Sequence, residues 1–335
     1  MKRIISLLLA LALSLSLAAC AAPAEKADGG KLQIVTTLFP YYDFARAIAQ
    51  DRADVTLLLS PGREAHSFEP TPLDAVTISE ADVFLYNGGE GEYWVESMLD
   101  AAGENIAVVA RMMDYVDALD EEYVEGMQGA DGHDHDHEHG SHDDHDHDHK
   151  EDEHDSDEIE YDEHIWTSPK NAVVLCRAVC DAICRADAEN AAFYRANCEN
   201  YCAQLEDLDA RFAALCESAP RRLLIFADRF PMLYFCREYG LDYRAAFHGC
   251  SGDTEPSLAT IKFLIDKVED ENIPVVYTID FGTKKVAAVV SECTGAAIET
   301  LYSMQTVSRA DFDAGETYLT LMERNFEALR KGLNA

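Results

Sequence analysis

The chain has 335 residues and a formal net charge of −36, and 17 of its acidic side chains lie within residues 131–163 beside a single basic residue, Lys150. Like-charge repulsion argues against nucleic acid as a partner, and the excess of carboxylates favours cations. The length is typical of two domains once segments that do not fold are set aside.

The N-terminus has the pattern of an exported lipoprotein. A basic start precedes an apolar run from Ile4 to Ala19, which is too short and too one-sided for a membrane span. Residues 17–20, Leu-Ala-Ala-Cys, match the bacterial lipobox, whose cysteine becomes the lipidated first residue of the mature protein. We therefore predict a signal peptide at 1–19, lipidated Cys20 with a tether at 20–30, and an extracytoplasmic, membrane-anchored location.

Short apolar runs then alternate with amphipathic stretches over residues 31–116. The predicted strands are Leu32–Leu38, Asp54–Leu59, Asp82–Tyr86 and Ile106–Ala110, and the predicted helices are Tyr41–Asp51, Pro72–Glu80 and Tyr93–Ala102. This alternation predicts an N-terminal α/β lobe with a parallel sheet between helices.

Residues 117–163 are too polar to bury a core and are predicted to form an acidic, histidine-rich loop. Nine histidines alternate with acids: His133, His135, His137, His139, His142, His145, His147, His149 and His154. A merely solvated loop would not explain histidine at nearly every second position. Imidazoles are largely uncharged near neutral pH and can coordinate metal, so we interpret the run as a weak, multi-site metal antenna.

Residues 164–218 are predicted to form linking helices. Ser168 suits an N-cap and Pro169 the first helical position, with one helix to about Arg185 and a second over Ala191–Ser218. His164 is thus held on an ordered backbone beside the flexible histidine run. It is either a metal ligand or a partly buried histidine at a helix start.

Nine cysteines remain besides Cys20, and an odd number in an exported chain leaves at least one thiol free or intermolecular. Cys176, Cys180 and Cys184 share one helical face, and Cys198 and Cys202 repeat the four-residue spacing. One helical face closes a tetrahedral metal site poorly, so we interpret these residues as small core side chains.

Residues 219–335 repeat the strand–helix alternation. The predicted strands are Arg221–Phe226, Tyr243–Phe247, Pro274–Ile279 and Ala297–Tyr302, and the predicted helices are Pro231–Tyr239, Ser257–Glu269, Thr283–Cys293 and Tyr318–Leu333. The predicted fold class is α/β, with two lobes, each a parallel-type sheet flanked by helices, joined by a long rigid linking helix.

Four side chains are predicted to lie where such a fold binds ligands, most of them just past strand ends. They are His66, His164, Asp228 and Asp280. Two imidazoles and two carboxylates suit a divalent transition ion such as Zn(II) or Mn(II). Taken alone, aspartates in the positions of Asp228 and Asp280 are more often helix caps than metal ligands.

Several motifs occur in a characteristic order. They are the lipobox, Thr-Leu-Phe-Pro at 37–40, Gly-x-x-x-His-x-x-Glu-Pro at 62–70, the histidine–acid loop, Asp-x-His-x-Trp at 162–166 followed by Ser-Pro, and Gly-x-Thr-Tyr at 315–318. From about Leu32 to the end, this combination resembles the zinc/manganese substrate-binding lipoproteins of bacterial ABC importers.

The resemblance implies one metal held between two lobes and no enzymatic activity. The family's first two histidines match His66 and His164, its third ligand corresponds to Asp228, and its fourth, acidic in zinc members, matches Asp280. Manganese members place an aspartate in the last strand, where residues 301–304 offer no carboxylate. We therefore expect a monomer that delivers Zn(II) to an ABC permease.

Other possibilities remain open. His248 and Glu255 are candidates for a supporting role or an alternative ligand. A manganese transporter, a metal-binding adhesin and a periplasmic metal buffer share the same binding chemistry. A zinc hydrolase would need an open metal position and a general base, and no His-Glu-x-x-His motif occurs.

Overall fold

The computed structural model describes residues 30–63, 68–129, 160–251 and 255–334. The first lobe contains strands β1 Leu32–Thr36, β2 Ala53–Leu57, β3 Val83–Tyr86 and β4 Val108–Arg111, with helices α1 Phe39–Ala49, α2 Pro72–Ser79 and α3 Trp94–Ala102. The strands are all parallel, in the order β2-β1-β3-β4. Each predicted element of this lobe is present.

The linking segment is a hairpin of two helices. Helix α4 spans Pro169–Ala186 and α5 spans Ala191–Ser218. The Ser168 hydroxyl accepts a hydrogen bond from the Asn171 amide at 3.3 Å, and Pro169 occupies the first turn, as the sequence predicts. The linker is therefore capped and rigid at the end that carries His164.

The second lobe repeats the architecture of the first. Its strands are β5 Leu223–Phe230, β6 Asp242–His248, β7 Val275–Ile279 and β8 Ala297–Leu301, and its helices are α6 Leu233–Tyr239, α7 Leu258–Asp270, α8 Lys285–Thr294, α9 Arg309–Ala314 and α10 Tyr318–Leu333. The strand order is β6-β5-β7-β8, again parallel. The predicted fold class is confirmed, and only the short helix α9 is absent from the prediction.

Strand β5 is longer than predicted. Its pairing with β6 shifts register between Phe226 and Arg229 and then continues to Phe230. Such an irregularity inserts an unpaired residue and bends the strand. Asp228 therefore lies inside the strand, whereas the sequence places it directly after the strand.

The lobes and the hairpin share one hydrophobic core. Four fully buried side chains of this core come from different elements: Trp166 precedes α4, Phe44 lies in α1 of the first lobe, Phe212 in α5 and Tyr318 in the C-terminal helix α10. Because one core includes residues of both lobes and of the linking hairpin, folding of the hairpin is coupled to packing of the two sheets against it.

The ends of the predicted acidic loop are packed. Asp120 and Tyr161 form an antiparallel bridge, and the Asp162 amide donates to the Leu119 carbonyl at 2.9 Å. Met127 is buried in the main core. Residues 117–129 and 160–163 thus belong to the folded body, and the nine antenna histidines fall in 130–159, outside the described residues.

Residues 1–29, which include the predicted signal and Cys20, also lie outside the described residues. Among the helices of the described part of the chain, none is long and apolar enough to cross a membrane.

Candidate metal centre

His164 is buried at the start of the linker, and its ring is oriented by a carboxylate. Its Nδ1 lies 3.2 Å from Asp162 Oδ1, and the same oxygen accepts from the His164 amide at 2.8 Å. Burial acts to lower the pKa of His164, but Asp162, together with Glu121 and Glu163, raises it overall. With Nδ1 directed to a carboxylate, Nε2 is the nitrogen suited to coordinate a metal.

Both lobes hold the backbone around His164. The Asn87 side chain, beyond β3, donates to the Glu163 carbonyl at 3.0 Å. The Tyr234 hydroxyl, in α6 of the second lobe, donates to the Asp162 carbonyl at 2.8 Å. A ligand fixed from two sides needs little ordering when metal binds.

His248, the last residue of β6, has a matching arrangement. Its Nδ1 lies 2.9 Å from Glu121 Oε1, which also accepts from the Cys250 amide at 3.3 Å. Burial acts to raise the pKa of Glu121, but the hydrogen bond and charge of His248 and the charge of His164 lower it overall. Glu121 is thus an ionised carboxylate that orients a second imidazole.

The end of β6, which carries His248, lies against the ring of His164. A Cβ added to Gly249, the residue after His248, would lie 3.1 Å from both Nδ1 and Cε1 of His164. The same Cβ would lie 2.9 Å from the Phe230 carbonyl oxygen, so a larger residue at position 249 would have to shift the end of β6. The fold therefore brings the end of β6 to His164, and Glu121 interacts electrostatically with both histidines although they are 84 positions apart in the chain.

Asp228 is engaged in bracing the second sheet. Its Oδ1 accepts from the Arg229 amide at 2.9 Å, and its Oδ2 accepts from the Thr278 hydroxyl and from the Ile279 amide at 3.3 Å. A Cβ added to Gly282 would lie 1.7 Å from Oδ2. The carboxylate therefore has three donors and a backbone packed against it.

Asp280 follows β7, as predicted, at the carboxyl edge of the second sheet. Its Oδ1 accepts from the Ser303 amide at 3.1 Å. The neighbouring residues Ile279 and Phe281 line a pocket together with Ser303 and His164. We call this the junction pocket. Asp280 stands between two of its lining residues in sequence and accepts a hydrogen bond from a third, Ser303.

His66 falls in residues 64–67, outside the described residues. The chain on each side of it adjoins the lobe junction. The Gly62 amide donates to the Val307 carbonyl of the second lobe at 2.7 Å, and Phe68 lines a cavity with Glu163 and Gln305. Gln305 also lines the junction pocket.

Glu255 is exposed, and its Oε1 lies 3.4 Å from Lys285 Nζ. No described contact links it to His164 or His248, so the structure groups His248 with the candidate centre and leaves Glu255 on the surface.

Sequence reasoning missed Glu121 and the orienting role of Asp162. Glu121 lies in the segment predicted as loop, and its partner His248 is 127 positions away. Asp162 could have been identified, because Asp-x-His places a carboxylate two residues before a ligand candidate. Nothing local distinguishes Glu121 from Glu122 or Asp120.

Two parallel α/β lobes on a helical hairpin, with oriented histidines at their junction, define a bilobed solute-binding protein of the metal-binding class. The family model described as "Zinc-uptake complex component A periplasmic" (ZnuA) matches residues 34–332. The chain therefore belongs to the ZnuA family. Members of this family are extracytoplasmic zinc-binding components that work with the permeases of ABC importers, and they are not enzymes.

Individual relatives agree. The chain is 30% identical to the high-affinity zinc uptake system protein ZnuA of Bacillus subtilis over 91% of this chain and 88% of that protein. It is 31% identical to the zinc-binding lipoprotein AdcA of Streptococcus pneumoniae over 99% of this chain, but spans only 61% of AdcA. The Zn(II)-bound ZnuA-like domain of pneumococcal AdcA superposes with a TM-score of 0.71 at 26% identity, covering 91% of this chain and all of that domain.

Proposed function

We propose that this protein captures Zn(II) outside the cytoplasm at the lobe junction and delivers it to an ABC importer permease. The observation that supports the binding step most directly is the presence of two imidazoles beside the junction pocket, each oriented through Nδ1 by its own carboxylate. Carboxylate–histidine pairs of this kind fix the tautomer and raise ligand basicity in zinc sites. The metal is the protein's cargo.

The proposed ligands are His66, His164 and His248, together with Asp280, whose carboxylate is hydrogen-bonded to Ser303 of the junction pocket. His248 takes the place that the sequence alone assigns to Asp228, because Asp228 accepts three hydrogen bonds within its own sheet. Three nitrogens and one oxygen suit Zn(II) better than Mn(II), since imidazole favours zinc and all-oxygen sets favour manganese.

The sequence supports further parts of the proposal. Residues 1–19 would be removed on export, Cys20 would carry the lipid, residues 20–30 would form the tether, and the folded part would act as a monomer beside the permease. The proposed domain organisation is an N-terminal lobe at 31–116 and a C-terminal lobe at 219–335, joined by the linking helices at 164–218.

The physiological ion is tested by growth. A strain lacking this protein is expected to grow poorly when zinc is withheld and to recover with added zinc. The binding affinity alone does not identify the transported ion, because zinc binds more tightly than manganese at almost any such site. Recovery with manganese but not zinc would make this a manganese transporter. Unimpaired growth without zinc would favour an adhesin or a metal buffer.

Deleting residues 131–155 is expected to leave one tight zinc site and to remove several weak ones. The reason is that the antenna histidines are separate in sequence from the proposed ligands, while labile imidazoles and carboxylates collect cations weakly. Calorimetric titration of the full chain and the deletion variant measures both classes. Loss of tight binding in the deletion variant would show that the loop supplies a ligand directly.

A further inference from the structure

The linking hairpin contains a cluster of cysteine sulfurs that zinc capture at the junction does not use. Cys176 and Cys180 come from α4, and Cys198 and Cys202 come from α5. All four side chains are buried. The sulfurs of Cys176, Cys198 and Cys202 lie within 4.8 Å of one another. Cys180, on the next turn of α4, interacts electrostatically with Cys198.

The spacing of these sulfurs fits tetrahedral coordination. A Zn–S bond of about 2.3 Å sets the distance between two sulfurs of a tetrahedral site at about 3.8 Å. The Cys198 and Cys202 sulfurs are 3.8 Å apart. The three mutual separations below 4.8 Å then need only small side-chain adjustments to reach the same value.

Cysteines on a single helical face close a tetrahedral metal site poorly, but here the cysteines come from two facing helices. Four-residue spacing puts Cys176 and Cys180 on one face of α4, which cannot surround an ion. The hairpin turns α5 back along α4, so Cys198 and Cys202 approach from the opposite side. Cys198 donates to the Cys176 carbonyl at 3.8 Å, and Cys202 donates to the Val173 carbonyl at 3.9 Å, which fixes this facing arrangement.

The chemistry of the cluster selects soft or borderline ions. Every donor is sulfur, and thiolate sets bind Zn(II) and softer ions in preference to Mg(II), Ca(II) or Mn(II). Arg177 follows Cys176 in α4 and interacts electrostatically with Cys202 of α5. Its positive charge offsets part of the negative charge that coordinated thiolates would bring into the core.

We propose that Cys176, Cys180, Cys198 and Cys202 form a second, structural metal site for a thiophilic divalent ion such as Zn(II), distinct from the transported ion. Each coordinating thiol releases its proton to solvent as the ion binds. The ion ties α4 to α5 and so stiffens the element on which both lobes are mounted. It has no role in cargo exchange, because the site is enclosed between the helices.

Cobalt(II) is the probe for this site, added to the full reduced chain without oxygen. Thiolate ligands give an ultraviolet charge-transfer absorption that imidazole and carboxylate ligands do not. We expect this absorption in the wild-type protein and, unchanged, in His164→Ala, whose junction site is impaired. Absence of the absorption in the reduced, folded wild-type protein would overturn the proposal without any variant.

Two alanine variants on α5 locate the signal. Cys198→Ala removes a cluster sulfur, and Cys216→Ala removes an equally buried sulfur of the same helix outside the cluster. We expect Cys198→Ala to weaken cobalt binding at this site by about a hundredfold and Cys216→Ala to leave it unchanged. Equal absorption in both variants would place the thiolate signal elsewhere, for example at Cys250, and would also overturn the proposal. Cys202→Ala serves in the same way if Cys198→Ala folds poorly.

Discussion

Replacing His164 by alanine is expected to weaken tight zinc binding by about a hundredfold or more, because a closed zinc site draws its free energy from only four ligands. His164 is buried, and both lobes hold its backbone, so the alanine variant loses a nitrogen ligand that is already in position. The measurement is competition against a chelator of known affinity, made on the variant that lacks residues 131–155 so that weak sites do not interfere.

Asp162→Asn separates coordination from orientation. An amide can still contact Nδ1 but no longer raises the basicity of the ring, so we expect a smaller loss, of about 10–100-fold. If His164→Ala bound zinc as tightly as the wild-type protein, His164 would not be a ligand of the centre.

The third ligand is decided by a second pair of variants. His248→Ala is expected to lower zinc affinity about as much as His164→Ala does. Asp228→Ala is expected to lower it about tenfold at most, since Asp228 does not bind the metal but holds the strands of the second sheet through hydrogen bonds. The reverse order would return the third position to Asp228.

Replacing Trp166 by alanine is expected to lower the free energy of unfolding by about 3–5 kcal/mol, the usual cost of emptying a large buried site. Trp166 is fully buried, its Nε1 donates to the Ser303 carbonyl at 2.7 Å, and its carbonyl accepts from the Tyr318 hydroxyl at 2.7 Å. It therefore joins the linker to the segment that follows β8 and to α10. Urea unfolding followed by circular dichroism measures the change.

The chain's other tryptophan provides a matched control. Trp166→Phe loses the bond to Ser303 and strands a buried carbonyl, at a cost of about 1–3 kcal/mol. Trp94 is also buried, but its Nε1 has no hydrogen-bond partner among the described residues. Trp94→Phe should therefore cost less than Trp166→Phe. Equal costs would show that ring volume, rather than the hydrogen bond, determines the stability at position 166.

The amino-acid sequence by itself determined the features that depend on neighbouring residues. Alternation of apolar runs with amphipathic stretches located both parallel sheets, and Ser168 with Pro169 located the start of α4. Strand periodicity and helix capping are local properties, so they can be read without knowing what a segment packs against. Motifs in a characteristic order, such as Asp-x-His-x-Trp, indicated the protein family.

Only the tertiary structure decided which side chains meet. Glu121 pairs with His248 because parallel pairing of β6 with β5 carries the strand end to a segment predicted as loop. Asp228 lies at the irregularity in β5 and accepts hydrogen bonds from Thr278 and Ile279 of β7. The antiparallel hairpin brings the cysteines of α4 and α5 into one cluster. These contacts join residues far apart in the chain, and local periodicity carries no information about such pairs because it sets the face a side chain occupies but not the partner opposite it.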